Sequence, residues 1–301
     1  MSRAILVSGA TGRQGGSVVR ALLALNPPDV RILALTRDPT SSSAQKLAAK
    51  SDNISLIKGD LDSPDAIFED AKKVAPSIWG VFSVQTLAMG KEATINEEKQ
   101  GKALVDAALK NGVQHFVYAS VDRGGERSLD NETDIPHFAS KHRIEKHLIA
   151  AAEGSGMSWT ILRPVAFMEN LDGGFVGKVF ATAWRLVVRS RPLQLIAVDD
   201  IGVFAAKAFT SPEEFKGRGI SLAGDELTYE QMEEQYREVM GSPVPTTFGI
   251  VARMVLRMSR EMGNMFAFFE REGYAADIPE LRKMYPDLKD LKTWLAEQKQ
   301  A

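Results

Sequence analysis

Residues 4–23 constrain this chain most. The apolar run Ala4-Ile5-Leu6-Val7 leads into Gly9-Ala10-Thr11-Gly12-Arg13-Gln14-Gly15-Gly16, and Val18, Val19, Leu22 and Leu23 follow at helical spacing. An unbroken apolar run reads as a strand buried on both faces, and the glycines as a tight turn into a helix that packs back on it. In that reading Gly9 permits the sharp turn, Gly12 lets the backbone approach a pyrophosphate, and Gly15 lets the helix lie close to the sheet. Phosphates would meet unpaired N–H groups and the positive end of the helix dipole. A strand-to-helix turn without a ligand can use the same residues, so the rest of the chain has to decide.

Further apolar runs recur from Val30 to Leu35, Ile54 to Ile57, Ile78 to Val84, Phe116 to Ala119 and Trp159 to Leu162, with helical segments between them, the clearest from Glu92 to Lys110. This alternation predicts an α/β fold, a Rossmann-type doubly wound parallel sheet. Beyond about Pro164 the pattern changes. Strands are expected at Leu193 to Val198 and Ile220 to Leu222, and a helix at Ile201 to Phe209 capped by Asp199 or Asp200. A second helix should run from an N-cap at Thr228 through Met240 to Gly241. Met254, Met258, Met262, Met265, Phe266, Phe268 and Phe269 read as core filling ahead of a pocket lining or partner groove. Residues 1–163 are thus expected to form a dinucleotide-binding domain. Residues 164–301 should form a smaller mixed α/β lobe over the carboxyl edge of the sheet, which is free to take strands from both parts.

With 301 residues, 44% of them hydrophobic and 25% charged, the chain can bury a large core. A formal net charge of -2 disfavours direct nucleic-acid binding. The absence of cysteine removes disulfides, thiolate nucleophiles and cysteine metal sites, so redox chemistry needs a bound cofactor. There is no charged-then-apolar leader and no run near the roughly 18 apolar residues of a membrane span. A cytoplasmic or nuclear protein with no membrane partner is expected.

The spacing Gly-x-x-Gly-x-x-Gly resembles that of the short-chain dehydrogenase/reductase group. The second strand ends in Leu35-Thr36-Arg37-Asp38-Pro39, and Arg37 lies 22 residues past Gly15 (37 − 15), near the distance of about 20 at which such folds read the ribose. Arginine suits a 2′-phosphate and so NADP, with Arg13 adding charge; Asp38 suits a ribose hydroxyl and so NAD. Asp60, after the third strand, can accept adenine amino hydrogens or cap the next helix. Ser120 ends the fifth strand, and Lys141 closes His137-Phe138-Ala139-Ser140-Lys141. Short-chain reductases carry Tyr-x-x-x-Lys here, and His137 takes the tyrosine position. Imidazole can do acid–base work near neutral pH, yet a histidine after Pro136 also serves as a cap or surface residue. His137, His142 and His147 step by about 140° around a helix and so build no metal site; they are expected to be solvated.

Together with Glu98-Lys99-Gln100-Gly101-Lys102, Leu162-Arg163-Pro164, Phe167-Met168-Glu169-Asn170, Gly273-Tyr274 and Trp294-Leu295, these motifs resemble the NmrA-like family of atypical short-chain reductases over nearly the whole chain. The resemblance implies NADP(H) binding, with NAD(H) as the alternative. The residues it implies are Gly9, Ala10, Thr11, Gly12, Arg13, Gln14, Arg37, Asp60, Leu61, Val84, Gln85, Thr86, Lys99, Lys141, Pro164, Val165, Ala166 and Phe167. Two functions follow. The preferred one is a redox or cofactor sensor acting on a protein partner with little turnover, because the usual proton donor is missing. The alternative is an NADPH-dependent reductase of a quinone, enone or carbonyl substrate, with Lys141, His137 and Ser120 as its catalytic candidates.

Overall fold

The computed structural model describes residues 3–27, 29–86 and 90–300. The first half alternates strand and helix: β1 (Arg3–Val7), α1 (Arg13–Leu25), β2 (Val30–Thr36), α2 (Ser42–Ala48), β3 (Ile54–Lys58), α3 (Pro64–Val74), β4 (Gly80–Ser83), α4 (Lys91–Lys110), β5 (His115–Ala119), α5 (Pro136–Ala152) and β6 (Ser158–Pro164). Then come β7 (Ala166–Phe167), α6 (Phe175–Ala183), β8 (Leu193–Ile196), α7 (Val198–Thr210), α8 (Pro212–Phe215), β9 (Arg218–Leu222) and β10 (Asp225–Leu227). The chain ends with α9 (Tyr229–Met240), α10 (Gly249–Met258), α11 (Arg260–Arg271), α12 (Ile278–Met284) and α13 (Leu291–Gln300). Every apolar run read from the sequence as a strand is one.

Seven strands form one sheet in the order β3-β2-β1-β4-β5-β6-β9. The pairs from β3 to β6 are parallel. β9 follows β6 in the same direction, since the Gly217 N–H reaches the Trp159 carbonyl at 2.7 Å and the Val165 N–H the Leu222 carbonyl at 3.2 Å. Central strands covered on both faces need apolar residues at every position, which is why β1 and β4 lack alternation. A second sheet, β10-β8-β7, joins β7 parallel and β10 antiparallel to β8.

The chain divides into two compact units. One comprises Met1–Ser120, Ser140–Leu162 and Ile201–Ile220; the other comprises Val121–Ala139, Arg163–Asp200 and Ser221–Ala301. The first buries Leu6, Leu33, Val81, Phe116, Leu104 and Ile144 around its strands. The second is built on aromatics: Trp184, Phe180, Phe266 and Phe269 are buried, with ring centroids 5.4 to 6.2 Å apart in tilted and edge arrangements.

Thr228 caps α9 through a capping box with Gln231, and Gly241 ends the helix in the left-handed region at φ 77°. The caps expected for α7 are different. The helix starts at Val198, so Asp199 and Asp200 lie inside its first turn, and the Val198 N–H is taken by Glu169 Oε1 at 3.0 Å. Asp200 instead accepts the Lys289 N–H at 3.0 Å, because its buried carboxyl reaches a neighbouring backbone before its own helix end. The methionines also divide. Met265 packs against the core, but Met254 and Met258 face outward, since α10 buries only Ala252 of its residues. No helix among the described residues is long and apolar enough to cross a membrane.

Candidate functional site

The strand order reverses at β1, which has β2 on one side and β4 on the other; ligands of open α/β sheets bind outside the carboxyl ends of strands at such a point. The two strand ends there are pinned by Ser8. Its buried hydroxyl accepts the Val84 N–H at 2.7 Å and lies 2.9 Å from the Val84 carbonyl, to which it donates. Sequence reasoning passed over Ser8, although a serine between an apolar strand and the first glycine is itself a signal.

Gly9 has φ 59°, and a Cβ there would come 2.9 Å from Val84 Cγ1. The Gly12 N–H closes the turn on the Gly9 carbonyl at 2.8 Å. At Gly15 a Cβ would stand 2.3 Å from Gly9 O and 2.4 Å from Ser8 O, so α1 can start this close to the strand only with glycine. Gly12 caps α1 without a side-chain bond, and the first turn carries no acid, which leaves the positive end of the helix uncompensated by its own residues. Ala10 is buried, whereas Thr11, Gly12 and Arg13 are exposed.

Two acceptors in this unit, Gln14 Oε1 and Gln85 Oε1, are buried without a hydrogen-bond partner among the described residues. Each such atom costs about 1–3 kcal/mol until a donor reaches it. A cradle closed to side chains, an open helix N-terminus and two waiting acceptors fit a dinucleotide. Val84 is half-buried and Thr86 exposed, at the end of β4.

At the end of β2, Asp38 Oδ1 accepts both the N–H and the hydroxyl of Thr40, at 2.9 and 2.6 Å. The Thr40 hydroxyl foremost, with the Thr40 N–H, holds this carboxyl below its ordinary value. One oxygen of Asp38 is thereby engaged in its own turn. Arg37 beside it is exposed and makes no ion pair among the described residues. Asp60 likewise uses Oδ1 on the Asp62 N–H at 3.0 Å, with Leu61 half-buried between them. Lys99 is exposed on α4.

Lys141 is not a free cation. Its Nζ donates to Glu97 Oε1 at 2.7 Å, and the Ser140 hydroxyl donates to Glu97 Oε2 at 2.6 Å; the Lys141 and Glu97 side chains are only 11% and 4% exposed. An ammonium has three donors, of which Glu97 takes one. The Ser120 hydroxyl donates to the buried carboxylate of Glu145, one turn beyond Lys141 on α5, so the structure does not pair Ser120 with Lys141. Glu97 lies in a stripe with Thr94, Gly101, Leu104 and Ala108, and an acid at a core-facing helical position is a sequence signal for a buried partner.

In the second unit, His137 Nδ1 lies 2.6 Å from Glu261 Oε1, both side chains are below 10% exposed, and the ring stands edge-on to Phe138. The expectation of solvated histidines therefore fails for two of the three. His137 and His142 are buried by the packing of α5, and only His147 is partly open, against Asp106 at 2.7 Å. Pro164, Val165, Ala166 and Phe167 are committed to backbone pairing. The Pro164 carbonyl accepts from Asp122, Val165 donates to Leu222, and Ala166 and Phe167 form β7. Among the described residues no group of three or more His, Asp or Glu side chains could hold a metal ion.

A parallel doubly wound sheet with a glycine turn at its switch point is the architecture of dinucleotide-binding proteins. The sequence pattern of the NmrA-like family matches residues 1–295, and the chain belongs to that family. It is 29% identical over 259 residues to the NmrA-like family domain-containing oxidoreductase hkm9 of Aspergillus hancockii, covering 80% of this chain and 73% of that protein. Among solved structures it resembles the NADPH-dependent quinone oxidoreductase of Escherichia coli in complex with NADPH, with a TM-score of 0.74, 19% identity and coverage of 98% and 99%. It also resembles NmrA, a negative transcriptional regulator in complex with NAD, with a TM-score of 0.70, 19% identity and coverage of 98% and 95%.

Proposed function

We propose that this chain is an NADPH-dependent oxidoreductase acting on a quinone, enone or carbonyl compound. The observation that carries this reading is Lys141, a nearly buried ammonium fixed on Glu97 within the unit that holds the glycine turn. The naming of hkm9 as an oxidoreductase and the likeness to the quinone oxidoreductase support it.

In this reading Gly9 to Gln14 hold the pyrophosphate, Arg37 the 2′-phosphate, Asp60 and Leu61 border the adenine, and Gln85 and Lys141 serve the nicotinamide half. The cofactor, when bound, supplies a hydride. Lys141 then stabilises the negative charge that develops on the acceptor oxygen, keeping its position through Glu97. The Ser120 hydroxyl is held by Glu145. Arg37, exposed and without an ion pair among the described residues, favours NADPH over NADH.

Arg37→Ala is expected to weaken NADPH binding, followed by fluorescence, by about tenfold or more while leaving NADH unchanged, the size of a lost charge-assisted bond. Lys141→Ala should bind NADPH yet lose oxidation of it by 1,4-naphthoquinone and by an unsaturated aldehyde. A protein that binds NADPH but oxidises it with neither probe would instead favour a cofactor sensor. That second reading is favoured by one observation: the residue in the tyrosine position, His137, is buried against Glu261. Such a sensor needs a protein partner that discriminates cofactor states, and tenfold coupling takes about 1.4 kcal/mol.

A further inference from the structure

Helix α10 is apolar on two sides. Inward it buries Ala252, with Val251, Val255 and Leu256 half-buried. Outward, Ile250, Met254 and Met258 recur every fourth residue, and Arg253 and Arg257 do the same beside them. At about 100° per residue these five fill an arc of about 140° centred opposite Ala252. Phe248, just before the helix, is exposed as well. A helix that is apolar inward and outward is built to be covered on both sides.

Charge and exposure indicate what covers the outer side. No Asp or Glu occurs between Glu238 and Glu261, and neither Arg253 nor Arg257 makes an ion pair among the described residues. The face is therefore cationic as well as apolar, and it calls for an anionic counterpart. Two copies of α10 set face to face would bring arginine against arginine with no acid to relieve them. The apolar side chains are 80% (Phe248), 73% (Ile250), 58% (Met254) and 82% (Met258) exposed. Side chains lining a groove for a peptide would be shielded by its walls; these project freely. A counterpart that is anionic, apolar beneath and able to deform around projecting side chains is a phospholipid surface.

We propose that α10 docks this protein on anionic membranes, with Phe248, Ile250, Met254 and Met258 entering the headgroup layer and Arg253 and Arg257 pairing with lipid phosphates. Such a segment is no membrane span, because an in-plane helix needs one apolar stripe rather than a long apolar run.

The test is co-sedimentation of the full chain with vesicles of phosphatidylcholine containing roughly one third phosphatidylserine, against vesicles of phosphatidylcholine alone. Wild type is expected to pellet with the first, to stay in solution with the second, and to be released by high salt. Arg253→Gln with Arg257→Gln should weaken partitioning by about thirtyfold, each cation near such a surface contributing about a factor of five. Ile250→Ser with Met254→Ser should abolish it; all four positions are exposed, and circular dichroism checks the fold. Wild type that ignores the anionic vesicles overturns the proposal, as does binding unchanged in both double variants. A wild-type dimer that Ile250→Ser with Met254→Ser converts to a monomer, without vesicle binding, overturns it in favour of a second copy of the chain.

Discussion

Gly15→Ala is expected to destabilise the protein by about 3 kcal/mol or more and to abolish dinucleotide binding, whereas Gly16→Ala, one residue on, leaves stability within about 1 kcal/mol of wild type. Both replacements gain the helix propensity of alanine over glycine, about 1 kcal/mol. The difference is steric. At Gly15 the new methyl would lie 2.3 Å from Gly9 O, 2.4 Å from Gly9 C and 2.4 Å from Ser8 O, all backbone atoms of the strand end that Ser8 pins to Val84. None of them can rotate away, so α1 must lift off the turn and the loop geometry that would receive a pyrophosphate goes with it. At Gly16 the nearest atoms are Ala10 O at 3.3 Å and the far end of the Arg20 side chain at 3.5 Å. A shift of a few tenths of an ångström suffices there. Urea unfolding of both variants, with NADPH fluorescence as the second readout, checks the contrast; equal midpoints for the two would mean that α1 does not approach Gly9 this closely.

That contrast was legible in the sequence, because the requirement is local: strand, turn and helix follow within twenty residues, and each glycine acts on neighbours a few positions away. The strands were legible for a similar reason, as sheet burial on both faces writes a continuous apolar run. What the sequence hid are the pairs. Ser8 meets Val84 76 residues on, Lys141 meets Glu97 44 residues back, and His137 meets Glu261 124 residues on. No periodicity or spacing rule connects such positions. Arg37 and Asp38 show the same limit in miniature. The sequence offers both as ribose readers, and only the structure shows that one oxygen of the Asp38 carboxylate is already engaged by Thr40. The caps of α7 failed for this reason too: its first N–H is met by Glu169, 29 residues away, rather than by the acids that its own sequence supplies.

The second large effect is expected in the pH dependence of stability, where two buried groups work against each other. His115 is fully buried between Trp79 and Phe209, its ring nitrogens lie 2.7 Å from Ser158 Oγ and 3.2 Å from Thr160 Oγ1, and burial pushes its pKa down from 6.5 to about 4. Between these values the unfolded chain binds a proton that the folded chain refuses. Stability is therefore lost as pH falls from 6.5 to 4, by about 3 kcal/mol in all. Asp200 acts in reverse. Burial, opposed by the Lys289 N–H, raises its carboxyl from 3.8 to about 6, and Oδ1 has no hydrogen-bond partner among the described residues. Here the unfolded chain releases its proton first, so stability is lost as pH rises from 3.8 to 6, again by about 3 kcal/mol. Over pH 4 to 6 the two slopes cancel in global unfolding, and removing either group exposes the other. Relative to wild type, His115→Gln is expected to lose stability with rising pH across this window, and Asp200→Asn with falling pH. Each slope should differ from wild type by about 1.4 kcal/mol per pH unit, in opposite directions. The remaining carboxylates titrate in all three proteins alike, so the differences between urea-unfolding series at pH 4, 5 and 6 isolate the pair. Slopes that do not move apart would mean that water reaches His115 or Asp200 in the folded chain.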